Sequence, residues 1–317
     1  MKNVEDIYRL TALQEGLLFH SVAEPGTGLY IDQVSAELTG TFDPARFQAA
    51  WDQAVQRQAA LRTAFLWDGL DEPVQVVRET VELPWAIEDW RADDASARAR
   101  RRDSRLRLDR AHGFALEQAP LMRMTLARTG ERSWWWLWTF HHLIADGWST
   151  SVLLREVFAA FAGKPSDTTD VPAFSDYIAW QADQDLDAAE RYWRDELRGF
   201  TEPTRLSSLP QESSVAAPGV RQQDRQLSPE TTTVLRTVAA ENGLTLNTVV
   251  QGAWALLLAR LTRQDDIVLG VTTSGRPPEL AGIERAVGLF INTLPLRVAV
   301  DPEAPLTDWL KVLQKRQ

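Results

Sequence analysis

Apolar residues recur along this chain in two periods, one helical and one alternating, and the places where the period changes mark its elements. Thr11 and Gln14 in "LTALQEGLLFHS" form a capping box, and Leu13, Leu17 and Leu18 then share a face, which predicts a helix from about 12 to 22 that ends at Pro25-Gly26. Asp43 as cap and Pro44 at the first helical position open a second helix running to about 58, with Phe47, Ala50, Trp51, Ala54 and Val55 as its buried stripe. Strand-like runs follow at 62–67 and 73–78, then a charged helical stretch at about 92–110. "PLMRMTLARTGERSWWWLWTFHHL" holds two β-rich runs joined at Thr129-Gly130, which reads as a hairpin. Ser149 and Thr150 can cap the next helix, where Val152, Leu153, Val157, Phe158 and Phe161 repeat at helical spacing.

"GKPSDTTDVP", 163–172, is polar and proline-bounded, and marks the expected boundary between a lobe of residues 1–165 and one of 166–317. Beyond it the pattern predicts short helices at 174–183 and 187–198, an irregular stretch at 202–220 and a helix pair at 229–241 and 245–262. β-rich runs at 266–273 and 289–300 follow, with a last helix from near Pro305. That helix, "PLTDWLKVLQKRQ", stops without a glycine cap or a returning strand, so the chain reads as cut. The mixture of helices and strands, without repeats or low-complexity runs, predicts an α/β (α+β) fold.

Composition narrows the function. A chain of 317 residues that is 44% hydrophobic buries one large core or two smaller ones and is not disordered. Lys+Arg 34 against Asp+Glu 44 leaves a net charge of -10, which does not favour nucleic acid or an anionic membrane as the main partner. The absence of cysteine excludes disulfides, thiolate metal sites and a cysteine nucleophile, and fits a reducing cytoplasm. No signal core opens the chain, and no stretch reaches the roughly 18 apolar residues of a membrane span.

The candidate chemistry lies in "WTFHHLIADGWST", 138–150, at the end of the second hairpin strand. Successive strand side chains point to opposite faces, so His141 and His142 cannot both line one cavity, and one of them is structural. Trp136, Trp138 and Phe140 on one face are as apolar as Trp135 and Leu137 on the other, so the pattern does not say which. Asp146 and Gly147 fall at a strand-to-helix turn, where the N–H groups of residues 147–149 would point out of a helix N-terminus toward a developing oxyanion. A histidine beside such a turn suits acyl transfer, taking the proton of an incoming amine or alcohol. No G-x-S-x-G elbow and no cysteine suggest a covalent acyl-enzyme, so direct attack on an activated acyl group is the simpler mechanism. Metal binding through His142 and Asp146 competes, but His20 and His112 lie far off without ligand spacing.

These residues resemble the condensation domains of nonribosomal peptide synthetases. Five segments match that family's motifs in order: "LTALQEGLLFHS", "RQAALRTAF", "FHHLIADGWS" for its H-H-x-x-x-D-G signature, "FSDYIAW" and "VGLFINTLPLR", spanning residues 11 to 297. The resemblance implies two chloramphenicol acetyltransferase-like lobes meeting in a V as a pseudo-dimer, with a tunnel between them and the second lobe incomplete. It implies a monomeric, cytoplasmic acyltransferase that binds no metal or cofactor of its own, in a multidomain synthetase with a neighbouring adenylation domain. Donor and acceptor peptidyl carrier proteins would deliver thioesters on phosphopantetheine arms, and the acceptor amine would attack the donor thioester. It makes His141, His142 and Gly147 of the signature the catalytic candidates, placing His142 in the tunnel as the base or the group that positions the amine and giving Gly147 room for the arm and an N–H. Asp146 becomes structural, paired with an arginine: Arg276 in "TSGRP" by motif position, with Arg57 and Arg62 as alternatives.

Three relatives fit less well. Heterocyclisation domains replace the histidines with aspartates, epimerisation domains resemble "EGHGRE" where this chain has "TTSGRPPE", and plant acyl-CoA transferases carry a D-F-G-W-G absent here. The second motif departs from the family, with Gln58 and Ala59 where His and Glu are usual. The family also continues past residue 317, so a fragment that fails to close its tunnel would be inactive. The competing function, from another class, is a carrier-binding module without catalysis, although degenerate modules of that kind lose the histidine signature. "ARARRRDSRLRLDR" reads as a solvated helix face, and Trp134, Trp135, Trp136 and Trp138 as core on both faces of a strand. Trp148, Ser149, Trp180 and Asn292 are candidates to line the tunnel, Gly288 serves a close backbone approach, and Tyr177 reads as packing.

Overall fold

The computed structural model describes residues 3–164, 171–206 and 223–317. Its contacts divide it into two compact units, Met1–Gln184 with Ser274–Asn292, and Asp185–Thr273 with Thr293–Gln317. The units do not part at the expected 165/166 position. The helix over 174–182 packs on the first strand of unit one, and the chain returns to that unit over 274–292. The centre of the expected linker, 165–170, and residues 207–220 of the expected irregular stretch lie outside the described residues.

Unit one runs β1 (Asp6–Arg9), α1 (Ala12–Ala23), β2 (Ile31–Thr39), α2 (Pro44–Arg57), β3 (Thr63–Leu66), β4 (Val74–Val77), β5 (Trp85–Asp89), α3 (Ala95–His112), β6 (Met122–Gly130), β7 (Ser133–His141), α4 (Gly147–Phe161) and α5 (Phe174–Ala182). The strands form a sheet ordered β1-β4-β3 and a larger one ordered β2-β7-β6-β5, in which β7 is antiparallel to both neighbours and β5 is parallel to β6. The capping box of α1 forms as expected, with Thr11 Oγ1 accepting the Gln14 N–H at 3.2 Å and Gln14 Oε1 accepting the Thr11 N–H at 3.0 Å. Asp43 caps α2 through the Ala45 and Arg46 N–H groups, and the whole predicted stripe of α2 is buried.

Strand β7 has an apolar residue on both faces because both are covered. Trp136, Trp138 and Phe140 join Phe47 and Trp51 of α2 and Leu153 and Val157 of α4 in the main core, while Trp135 and Leu137 pack with Trp90 and Ala127 on the other side. Trp51 and Trp138 lie with ring centroids 5.0 Å apart, and Trp90 stacks on Trp135 at 5.2 Å.

Four details differ from the sequence pattern. The hairpin turns at residues 131–132, because β6 continues to Gly130, which pairs with Ser133 past an irregularity between Arg128 and Gly130. Strands β1, β2 and β5 were not expected: β1 is short and largely exposed, β5 is short and mostly half-buried, and β2 alternates from Val34 to Leu38 between glycine- and proline-rich turns. The 289–300 run becomes a strand only from Asn292, since the N–H groups of Phe290 and Ile291 bond a side chain instead. Asp146, not Ser149 or Thr150, caps α4.

Unit two holds α6 (Leu186–Glu196), α7 (Pro229–Glu241), α8 (Leu246–Thr262), β8 (Asp266–Thr273), β9 (Asn292–Ala299) and α9 (Leu306–Arg316), with β8 paired to β9. Its core gathers Ala255 and Leu258 of α8, Ile267, Leu296 and Val298 of the strands, and Leu310 and Leu313 of α9.

Gly288 lies against the Phe174 ring, where a Cβ would overlap the aromatic carbons. Gly288→Ala is therefore expected to destabilise unit one by about 1–3 kcal/mol through overpacking, read as a lower urea midpoint with an unchanged slope.

Candidate functional site

His141 is the last residue of β7 and follows Trp135, Leu137 and Thr139 on one face of the strand. It is buried, its Nδ1 accepts the Leu143 N–H at 3.2 Å, and its Nε2 lies 3.2 Å from Ser21 Oγ. A ring nitrogen that accepts from an amide carries no hydrogen, so the proton sits on Nε2 and goes to Ser21 Oγ, which in turn donates to Leu17 O at 2.7 Å. Burial, reinforced by the neighbouring His142, pushes the imidazole down to about 4. With both nitrogens engaged, His141 is structural, which corrects its place among the expected catalytic residues.

His142 leaves the strand and opens a short 3-10 turn, His142–Ile144, so the alternation that would have opposed the two rings ends between them. Its Nδ1 lies 2.8 Å from the carbonyl oxygen of Ala145. A carbonyl only accepts, so Nδ1 carries the hydrogen and Nε2 presents a lone pair, which no protein group bonds among the described residues. The side chain is 25% exposed. Asp32 of β2, which the sequence pattern did not single out, places Oδ2 at 3.2 Å from the same Nδ1. Burial raises the Asp32 pKa, opposed by the nearby His142 and Arg110.

Asp146 is fully buried at the start of α4, and each carboxylate oxygen is used. Oδ1 accepts the Ser149 N–H at 2.7 Å and faces Arg276 Nη2 at 3.5 Å, while Oδ2 accepts the N–H groups of Phe290 at 3.0 Å and Ile291 at 3.3 Å. Ser149 Oγ donates to Gly288 O at 2.7 Å and accepts from Gly288 N at 3.1 Å and Arg276 Nη2 at 2.9 Å. Burial lowers the Arg276 pKa and the Asp146 charge opposes that, while the guanidinium carbon lies 4.1 Å from the Phe290 ring centroid.

Of the three arginines considered for Asp146, Arg276 is thus the one in contact. Arg57 pairs with Glu156 at 2.7 Å and Arg62 with Glu5 at 2.6 Å, so neither reaches the carboxylate. Ser149 is also corrected: with no exposed surface it ties α4 to Gly288 and cannot line a substrate channel. Its N–H is taken by Asp146, which leaves those of Gly147 and Trp148 as the unbonded donors at the helix N-terminus among the described residues. Gly147 is exposed, and a Cβ there would meet nothing within 4 Å.

The remaining candidates are dispersed. Trp148 is exposed and donates its indole N–H to Glu284 O at 2.8 Å. Trp180 stacks on Tyr177 at 6.0 Å between ring centroids, beside Phe174 and Phe290, and Tyr177 is buried as packing. Asn292 is half-buried at the start of β9. No group of three or more His, Asp or Glu that could hold a metal occurs among the described residues, and the Asp146 carboxylate is occupied by backbone donors and Arg276. No single helix among them is long and apolar enough to cross a membrane.

Comparison with known proteins adds three findings. A family model described as Condensation domain matches residues 4–317. Linear gramicidin synthase subunits D and B of Brevibacillus parabrevis are 42% and 43% identical over 100% and 99% of this chain, which spans only 6% of the length of each. The fold matches the first condensation domain of the calcium-dependent antibiotic synthetase with a TM-score of 0.73 at 22% identity, over 98% of this chain and 74% of that one.

Two outcomes follow from this geometry. Asp146→Ala removes a helix cap, orphans two backbone donors and leaves a buried guanidinium without its carboxylate, and is expected to cost about 3–5 kcal/mol in a urea melt. His141 takes a proton at its ordinary 6.5 when unfolded but only near about 4 when folded, so the unfolded chain holds more protons between those values and stability falls as pH drops through them. His141→Asn should flatten that part of a Tm–pH profile, and an unchanged slope would show that the histidine is not the source.

Proposed function

The chain belongs to the condensation domain family, and from that premise we propose that it forms amide bonds between acyl groups held as thioesters on carrier proteins. The acceptor's free amine attacks the donor's thioester carbonyl. A C–N bond forms, the C–S bond breaks, the sulfur leaves on the donor arm, and the proton shed by the amine passes through His142 Nε2 to that thiolate. The observation that carries this reading is the His142 tautomer: the Ala145 carbonyl takes Nδ1–H and leaves the Nε2 lone pair unbonded by any protein group among the described residues.

The N-terminus of α4 supports the same chemistry. Arg276 balances the Asp146 charge, so the free N–H groups of Gly147 and Trp148 keep their attraction for a developing oxyanion. An α-amino group with pKa near 8 is partly neutral already, so orientation contributes more than strong basicity. The proposal takes donor and acceptor peptidyl carrier proteins as partners, their phosphopantetheine arms as the only prosthetic groups, and a neighbouring adenylation domain in a cytoplasmic synthetase. It also includes two acetyltransferase-like lobes flanking a tunnel.

The test is a condensation assay with separately loaded donor and acceptor carriers, reading the mass of the acceptor for the new amide. His142→Ala is expected to slow adduct formation by about 10²-fold with a strongly basic acceptor amine, and by less with a weakly basic one. Equal rates for both proteins would sink the role of His142. No adduct from a cooperatively melting wild-type protein would favour a carrier-binding module instead.

A further inference from the structure

Asp32 stands at a position that neither the signature motif nor the helix N-terminus explains. It lies on β2 opposite Phe140, one pair away from the Ile31–His141 pair, so its place beside His142 is set by strand register. Resting on the reading of His142 given above, we propose that Asp32 is a positioning residue for the condensation reaction, steadying the His142 imidazolium as the amine's proton arrives at Nε2.

The Nδ1–H points at Ala145 O, and Asp32 Oδ2 lies 3.2 Å away from the same nitrogen, beside that bond. The carbonyl therefore sets the tautomer, and the carboxylate acts through its charge. When Nε2 takes the proton the ring becomes cationic, and an anion at this range is favoured far more by the protonated ring than by the neutral one. The charged and titratable groups around the pair are His141 of β7, held neutral by burial, and Arg110 of α3, which faces Asp32 and favours its ionised form. The Asp32 side chain is 48% exposed, which keeps the carboxylate in contact with water and limits the effect. Asp32 touches no reacting atom, and its influence passes through the imidazole.

Asp32→Asn keeps the shape and removes the charge. In the full chain, with loaded donor and acceptor carriers, it is expected to lower kcat about five- to twenty-fold with the acceptor KM unchanged and the Tm within a degree or two of wild type. Asp32→Glu should recover part of the rate. In a His142→Ala background the same substitution should have no further effect, because the group it serves is gone. A rate within two-fold of wild type for Asp32→Asn, alongside a slow His142→Ala, would overturn this inference and leave the proposed function standing. An equal loss in both backgrounds would also overturn it, by showing that Asp32 acts on something other than His142. Full activity in His142→Ala would overturn the underlying reading, and the inference with it.

Discussion

One peptide bond connects the buried network to the candidate base. The Asp146 N–H donates to Gly288 O at 3.2 Å, and the carbonyl of that same peptide unit belongs to Ala145. A trans peptide is planar with its N–H and C=O pointing in opposite directions, so anchoring the N–H toward residue 288 turns the Ala145 oxygen away from it, to the place where His142 Nδ1–H meets it. The tautomer of His142 thus depends on a contact made at the far side of the turn. The Asp146 carboxylate holds that side together by accepting from Ser149, Phe290 and Ile291 and by facing Arg276. With this many donors on one buried carboxylate, any shift of the 288–291 segment would break several bonds at once.

The contrast between the two adjacent histidines has the same origin. His141 still belongs to the strand, so its ring follows the buried face of β7 and loses contact with water. His142 is the first residue of the turn, where backbone direction changes and the ring reaches partly exposed space. Burial and hydrogen bonding separate them: His141 is held between the Leu143 N–H and Ser21, while His142 Nε2 is bonded by no protein group among the described residues. The aromatic strand is what permits this, because a strand covered on both faces can bury its last residue without a polar rim.

Much of unit one is legible because its signals are local. The capping box of α1, the Asp43-Pro44 start of α2 and the α2 stripe each lie within a few residues of one another in sequence. What the pattern does not show depends on pairing between distant segments. Strand β2 alternates Val34-Ser35-Ala36-Glu37-Leu38, a signal that was available, but Asp32 becomes meaningful only when register sets it beside β7. Likewise "WST" offers two good capping hydroxyls after an aspartate, and only the folded geometry shows Asp146 accepting the Ser149 N–H, which frees the Ser149 hydroxyl for Gly288. Among the arginines, local spacing alone does not choose a partner 130 positions away, and it is the place of Arg276 in "TSGRP" that singles it out.

The unusual second motif fits this account. Where the family usually has His and Glu, Gln58 donates to Glu156 at 2.8 Å, and Arg57 pairs with the same carboxylate at 2.7 Å. Glu156 is on α4, nine residues beyond Gly147, so α2 grips the middle of the helix whose first turn Asp146 holds. A helix fixed at two points keeps both its N-terminal donors and its axis in place, as the oxyanion role proposed for its end requires. At position 58 a glutamine thus holds Glu156 through its amide and adds no titrating group of its own.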